Sequence, residues 1–494
     1  MSNFKEYNLS KSLDTNIETI KKIFNNDDTL IIRSFQSQHG DSPKCCILFI
    51  NGMVNDEIIN ENIILPIVTS LTPPTKSSFI EYLQNQVIVS NNVEKTDNID
   101  KLIEAVISGD TILFAENSLE GIIIDTKGWP SRAIEEPLVE RVLRGPREGF
   151  TESIMENLAL IRRKLRTTDL KFEFTTLGER TNTKACICYI EGLANEKILK
   201  ELHKRLKDIS IDGVLDSNYV NEIICDSPLS LFETTGSTER PDTAAAKLLE
   251  GRIALVIDGT PVVMTVPYLF LEYFQSNEDY YLNYYFASVG RILRISGFIA
   301  TISIPAVYLS LVAFHQEMIP TPLIMSIYAA RQGVPFPTVI QLIILLITFE
   351  ILRETGTRTP SYIGQALSIV GALVLGSSAV EARLVSAPIV IVVGLSGITG
   401  LLIPKIKSAS VLLRFVFLIF SSLLGLYGYI FGMAALLIHL FSIRSFGVPY
   451  MSNLSSLHLQ ELKDTAIRLP WWYMKDRPGS LTSNIKRASR GRRQ

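Results

Sequence analysis

The residues of this chain best placed to do chemistry are charges set among apolar runs. Glu350 lies inside the run 339–352 and is followed by Arg353, Glu354 and Arg358; Glu381 and Arg383 separate two further runs, and Arg414 interrupts the last. A carboxylate or guanidinium in hydrocarbon costs about 2.5–3.5 kcal/mol on insertion scales, so such a group is expected to face a bundle interior, a partner or a water-filled path. Glu350, Arg353 and Glu354 fall along one side of a helix, because three- and four-residue spacings share a face. Carboxylates in such a position supply negative potential for cations, by the logic of charged rings in cation pores. Glu350, Glu354, Arg353 and Glu381 are therefore the candidate pore or gate residues, with Glu350 foremost because it sits within its run. For Arg353, Arg358, Arg383 and Arg414 the alternative of snorkelling interfacial side chains stays open.

Other chemistry finds little support. The five histidines (His39, His203, His315, His439, His458) make no metal spacing, and no G-x-S-x-G, H-E-x-x-H or nucleotide-binding loop occurs. An enzyme is disfavoured, and no catalytic residue, metal or cofactor is expected. His315 and His439, near the ends of apolar runs, read as packing or interfacial residues rather than proton relays. Cys45, Cys46, Cys186, Cys188 and Cys225 show C-C and C-x-C spacings beside apolar neighbours such as Ile47 and Ile187. That pattern suits buried thiols on strands in a reducing compartment, rather than disulfides or metal ligands.

The elements that must position these residues fall into two solvents. Up to about Tyr281 charges are scattered and apolar runs are short, as in buried strands. Beyond Ile292 the apolar runs approach the twenty or so residues that a helix needs to cross about 30 Å of hydrocarbon. The fold expected is an α/β soluble N-terminal region of two similar α/β domains, followed by an all-α multi-spanning membrane domain. Its parts are 1–143, 144–288, the helical membrane domain 289–447, and a basic C-terminal tail 448–494. The first ten residues are polar and lack the layout of a signal peptide, so the first span acts as its own insertion signal. The net charge of −2 points to no partner, and nucleic acid is not expected. The tail is another matter: Lys486, Arg487, Arg490, Arg492 and Arg493 place it in the cytoplasm by the positive-inside rule.

An internal duplication organises the soluble region. KCCILFINGMVNDEII from Lys44 aligns with KACICYIEGLANEKIL from Lys184, matching Cys46 with Cys186, Ile50 with Ile190, Gly52 with Gly192 and Asn55 with Asn195. GDTILFA from Gly109 parallels GRIALVI from Gly251. Each copy reads helix, strand, turn, strand, helix, connector, strand. Gly52 and Gly192 stand where a strand gives way to a helix, a place for positive φ or close packing rather than for a phosphate. The segment joining the copies carries Arg144, Arg147, Glu148, Arg162, Arg163, Lys164 and Arg166. It reads as a solvated amphipathic helix with Ile154, Leu158, Ile161 and Leu165 on its apolar face. The sharper alternative is a latch in which Arg144, Arg147, Arg162 and Arg163 pair with carboxylates of a neighbour.

In the apolar half the runs are 292–314, 339–352, 363–380, 384–403 and 411–443, with a Pro-broken stretch 320–337 too short to cross. Two cytoplasmic ends require an even number of crossings. Five runs do not satisfy that, so either one is re-entrant or the long last run folds back on itself. Gly364, Gly371, Gly376, Ser377 and Ser378 at near-four spacing suit close helix packing and association between copies.

These same segments carry a resemblance. RGPREGFTESIMENLALIRRKL from Arg144, YIEGLAN from Tyr189, TERPD from Thr238, LLEGRIALVIDGTPVVM from Leu248, EMIPTPLIMSIYAARQGVPFP from Glu317, FEILRETGTRTPSYIGQALSIVGALVLG from Phe349 and SFGVPY from Ser445 resemble the A subunits of GerA-type nutrient germinant receptors of spore-forming bacteria. The resemblance runs from about Ile17 to Tyr450. Glu233, where the family usually has Pro, and Arg383, where it has a small residue, depart from the pattern. The resemblance implies a membrane subunit of the spore inner membrane, with its terminal regions on the core side. It implies partnership with a transporter-like B subunit and a lipoprotein C subunit, and assembly of copies into a ring that releases monovalent cations when nutrient binds. Two alternatives are a non-conducting scaffold that clusters receptors and the related spore-membrane protein of the dipicolinate-channel operon.

Overall fold

The computed structural model describes residues 7–25, 27–37, 43–70, 79–128, 137, 140–359, 371, 374–452, 464–479, 481, 482, 484, 486 and 487. Two five-stranded antiparallel sheets occupy the first half. Strands β1 (Leu30–Phe35), β2 (Cys45–Ile50), β3 (Val93–Thr96), β4 (Thr111–Ala115) and β5 (Gly121–Ile124) are ordered β1-β2-β4-β5-β3. Strands β6 (Leu170–Leu177), β7 (Thr183–Ile190), β8 (Gly236–Thr238), β9 (Ile253–Ile257) and β10 (Val263–Val266) are ordered β6-β7-β9-β10-β8. The second order is the first with each strand number raised by five. The short strands β3, β5, β8 and β10 add to the three strands per copy that the sequence pattern predicts, since three to four residues are too few to stand out as an apolar run.

Helices cover both faces of each sheet, which is why CCILFI of β2 is apolar throughout instead of alternating. On the first sheet, α1 (Leu13–Ile23) and α4 (Ile99–Ile107) bury Ile20, Leu102 and Val106 against Cys46, Leu48 and Phe114. The opposite face packs on a π-type stretch (Ile58–Ile64), its continuation α2 (Leu65–Thr69), and α3 (Phe79–Tyr82), through Ile59, Ile63, Ile67 and Ile80. On the second sheet, α5 (Ile154–Lys164) and α8 (Pro241–Leu249) bury Leu158, Ile161 and Leu248 against Phe172, Cys186 and Val256. Helices α6 (Glu196–Lys207) and α7 (Ser217–Ile224) cover the other face through Leu202 and Val220. Each fully buried Leu or Ile of this kind is worth about 1.5–3 kcal/mol.

The paired residues of the two copies do the same work. Gly52 and Gly192 have φ of +82° and +75°, the left-handed region that a Cβ disfavours. The Asn195 side chain accepts from Lys197 N at 3.0 Å to cap α6, and the Asn55 side chain accepts from Glu57 N at 2.9 Å where the helical stretch begins.

The second half is helical: α9 (Tyr284–Ala313), α10 (Thr321–Arg331), α11 (Thr338–Arg358), α12 (residues 374–381), α13 (Ala387–Gly400), α14 (Lys407–Leu424) and α15 (Leu426–Ser442). Helices Tyr284–Ala313 and Pro404–Leu424 are long and apolar enough to cross a bilayer by length and composition. Ala387–Gly400 and Leu426–Ser442 are apolar but shorter.

Several boundaries differ from the sequence expectation. The run expected at 292–314 is a helix from Tyr284, because the Asn283 side chain caps Tyr285 N at 3.0 Å, and Arg291 and Arg294 meet partners that let the helix run through them. The run 339–352 extends to Arg358, its charges paired along the helix. The run 411–443 is two helices, because Gly425 at φ +61°, ψ −138° reverses the chain in a region open essentially to glycine alone. Of the run 363–380, residues before 371 lie outside the described residues, Gly364 among them.

Much of the expected basic tail is built into the second α/β unit. Leu481 is fully buried in that unit's core beside Leu177 and Phe446. Arg477 Nε donates to Leu249 O at 2.8 Å, satisfying a carbonyl left open at the end of α8. Thr482 Oγ1 donates to Leu193 O at 2.5 Å. An apolar side chain and donors matched to open carbonyls outweigh the solvation of a short basic segment. Arg490, Arg492 and Arg493 lie outside the described residues.

Candidate functional site

Four helices converge on one charge cluster. Arg414 on α14 is 1% exposed and forms an ion pair with Glu350 on α11. Glu350 also pairs with Arg353, three residues on along the same helix. Arg414 Nη1 donates to Ser396 Oγ on α13 at 3.2 Å, and Ser396 Oγ donates to Thr301 O of α9 at 2.9 Å. Arg414 Nε has no partner among the described residues. Leu309, Leu342, Leu346, Ile389, Val393 and Leu418 form the apolar surround. One carboxylate thus balances two guanidiniums in a medium where an unpaired charge is costly. The cluster stands seven residues into α14, about 10 Å along its axis.

Of the candidate pore residues, the structure brings Glu350 and Arg353 together and adds Arg414. Glu354 pairs instead with Arg358 at 2.7 Å on an exposed stretch of α11. Glu381 is exposed at the end of α12. Arg383 takes a positive φ of +55° and lies against Gly333, apart from the cluster. The Arg414 charge was visible in the sequence, but its partner 64 residues away was not. Ser396 carried no signal at all.

The arginines of the connector separate in the same way. Arg162 on α5 and Asp27 in the turn before β1 are both fully buried, with Nη2 to Oδ2 at 2.6 Å. The guanidinium lies over the Phe172 ring at 4.4 Å and Nη2 donates to Thr29 Oγ1 at 3.3 Å. The Asp27–Thr29 turn also donates Asp28 N to Phe172 O at 3.0 Å, so the edge of one sheet is pinned to the edge of the other. Arg163 and Lys164 pair with Glu148 at 3.7 and 2.8 Å. Arg144 and Arg147 are exposed. Within the chain, Arg162 acts as a latch between the two sheets.

A second junction ties the α/β half to the helices. Glu140 pairs with Lys405, in the turn between α13 and α14, at 2.5 Å, and accepts from Thr238 Oγ1 of β8 at 2.6 Å. Burial alone would raise the Glu140 carboxyl, but Lys405 together with the hydrogen bonds from Thr238 and the Glu239 N–H outweighs it and holds the carboxyl below its usual value. Asp279 pairs with Arg291 and Arg294 of α9 at 2.9 and 2.5 Å, and Arg291 reaches Asp464 at 2.7 Å. A cavity of about 240 Å³ lies among Glu140, Thr238, Lys247, Arg294 and Lys405. Where the bundle's last helix ends, Ser445 Oγ accepts from Tyr268 N at 3.0 Å and donates to Thr234 O at 2.6 Å.

Fold and site together define a protein whose duplicated α/β units are coupled by buried ion pairs to an apolar helix bundle with a charge cluster inside it. The chain belongs to the Bacillus/Clostridium GerA spore germination protein family, whose model matches residues 18–480. It is 40% identical to spore germination protein KA of Bacillus subtilis over 97% of this chain and 88% of that one. It is 35% identical to spore germination protein B1 of the same organism, over 95% and 97% of the two chains. An uncharacterized membrane protein of Bacillus subtilis, YfkQ, is 40% identical over 96% of this chain and 92% of its own length. Among solved structures, the N-terminal domain of the A subunit of the Bacillus megaterium spore germinant receptor GerK3 is 31% identical. It covers 53% of this chain and 98% of its own, with a TM-score of 0.40.

Proposed function

We propose that this chain is the A subunit of a nutrient germinant receptor of the spore inner membrane, and that its helical half crosses the bilayer and gates a monovalent-cation path formed by several copies. Family membership along nearly the whole chain supports the receptor assignment. The single observation that carries the gating reading is the Glu350–Arg414 pair, its arginine buried and its carboxylate half-buried where helices α9, α11, α13 and α14 meet. With Glu350 held by two guanidiniums its negative potential is neutralised; parting α11 from α14 removes Arg414, leaves the carboxylate paired with Arg353 of its own helix alone, and opens its other oxygen to a cation. Nutrient bound on a partner drives that parting only through its differential affinity for the two states.

The helix directions support an even number of crossings. Thr399 Oγ1 at the end of α13 meets Thr301 Oγ1 in the middle of α9 at 2.9 Å, and Leu402 just beyond α13 lies against Gly297, one turn nearer the start of α9, so the two run in opposite senses. Gly425 beyond the end of α14 lies against Phe314 beyond the end of α9, so those two run in the same sense. In this reading α9, α11, α13, α14 and α15 cross, the opposed senses of α9 and α13 call for one further crossing between α11 and α13, and both α/β units and the C-terminal segment lie on the cytoplasmic, core side. At about 16 Å, α10 is too short to cross. The B and C receptor subunits are the partners in this reading, and the chain performs no enzymatic step.

The test is nutrient-triggered cation release from spores carrying Glu350→Gln. Release is expected to fall while the complex still assembles; normal release would remove Glu350 from the mechanism. Because the lone substitution leaves Arg414 unbalanced, the exchange Glu350→Arg with Arg414→Glu is measured beside it. Purified chain in liposomes separates a conducting subunit from a scaffold, which passes no cations.

A further inference from the structure

We infer that the turn Trp471–Tyr473 is an interfacial anchor, seated in the headgroup layer of the bilayer that the helices cross, where it holds the C-terminal segment and the second α/β unit against the membrane. The inference rests on the membrane reading above. Trp471, Trp472 and Tyr473 form one turn of 3₁₀-helix and are 55%, 42% and 57% exposed. Three large aromatic side chains presented together to water are unusual, and Trp and Tyr concentrate at membrane–water interfaces, where an apolar ring and a polar N–H or O–H are both accommodated.

Position sets the depth. Trp472 packs edge-on against Tyr284, the first residue of α9, at 6.1 Å, and Trp471 packs on Tyr280 at 5.8 Å. With 30 residues, α9 is about 45 Å long, against about 30 Å of hydrocarbon and 40–45 Å for the whole bilayer. Its first turn therefore lies at headgroup level, and the turn packed on it lies there too. The apolar surface continues on both sides, through the exposed Tyr285, Phe286 and Val289 of α9 and the exposed Ile467.

Charge agrees with depth. Lys475 and Lys486, both exposed, follow along the strand of chain leading from the turn, while Arg468, buried behind it, supports the Trp471 ring at 5.8 Å. Cations flanking an aromatic patch complement anionic headgroups. The segment is held in place from behind: Asp464 pairs with Arg291, Arg468 N donates to Ser288 Oγ at 3.1 Å, and Leu481 is sunk in the second α/β core. Pulling on the turn therefore pulls on that unit.

Two of the chain's three tryptophans lie in this turn, so its own fluorescence reports on it. Full-length protein carrying Trp129→Phe is reconstituted in vesicles of anionic and zwitterionic phospholipid whose acyl chains are brominated at shallow or deep positions. Emission is expected to be quenched, more by shallow than by deep bromines. A reference protein with Trp129, Trp471 and Trp472 all replaced by Phe and Ile438→Trp on the exposed face of α15 tests the membrane reading itself. Quenching of the reference without quenching of Trp471 and Trp472 overturns the anchor, and so does blue-shifted, unquenched emission, which means that another protein surface covers the turn. No quenching of either overturns the membrane reading as well. Should Trp129→Phe fail to fold, the unsubstituted chain gives the same comparison, since most of its tryptophan emission sites are in the turn.

Discussion

Replacing Arg162 by methionine removes the cation of an ion pair in which both side chains are fully buried, and leaves the Asp27 carboxylate, among the described residues, with Thr29 N and Thr29 Oγ1 as donors at 3.1 and 2.6 Å. Breaking a buried pair by removing one member costs about 3–5 kcal/mol, because the remaining charge is desolvated without compensation. Against a total stability of about 5–15 kcal/mol this is a large fraction. At roughly 2–4 °C per kcal/mol for a unit of this size, the midpoint of the first thermal transition should fall by about 6–20 °C. Asp27→Asn should cost a similar amount. The double variant Arg162→Met, Asp27→Leu should regain much of the loss, since apolar replacements of buried pairs are often neutral. The assay is thermal unfolding of the purified full-length chain in detergent, followed by tryptophan fluorescence and near-ultraviolet circular dichroism, with the three variants as a double-mutant cycle. Single variants within about 2 °C of the parent, or a double variant whose loss is the sum of the singles, would refute the idea that this pair pins the two α/β units.

Other consequences are open to direct measurement. Gly425→Ala, at φ +61° and with a new Cβ 2.9 Å from Phe314 Cβ, should cost about 1–3 kcal/mol, read as a lower melting temperature of the reconstituted protein. Burial alone would raise the Glu272 carboxyl, but Arg252 and Lys247 outweigh it and hold it below its ordinary value. A carboxyl lowered on folding stabilises the fold above its unfolded pKa of about 4.3 and loses that contribution as pH falls through the folded value. Lys247→Met, which removes a 2.7 Å partner, should therefore shift acid unfolding to higher pH. In native protein a maleimide should label Cys225 first, while Cys45, Cys46, Cys186 and Cys188 react only on unfolding; Cys45 is buried and its thiol is pushed up to about 12 by burial and then by Cys46. Lys405→Glu should weaken germination far more than Lys407→Glu, because only Lys405 bridges the helices to Glu140; equal effects in a spore germination assay would count against the coupling.

The sequence by itself determined the division into an α/β half and an apolar helical half, since run length and charge spacing are local properties. It determined the duplication as well: Gly52 with Gly192 and Asn55 with Asn195 recur because each copy needs the same positive φ and the same helix cap. The family followed from long motifs in order. Tertiary structure alone decided which charges meet. Glu350 with Arg414, Arg162 with Asp27, and Glu140 with Lys405 are separated by 64, 135 and 265 residues, and no periodicity reaches that far. It also decided that Glu354 and Glu381 stand outside the cluster, and that Leu481 is core. The physical reason is common to all of these. A helix or strand is chosen by neighbours within a few residues, whereas a buried charge is tolerated only where the whole fold brings its partner within hydrogen-bonding distance.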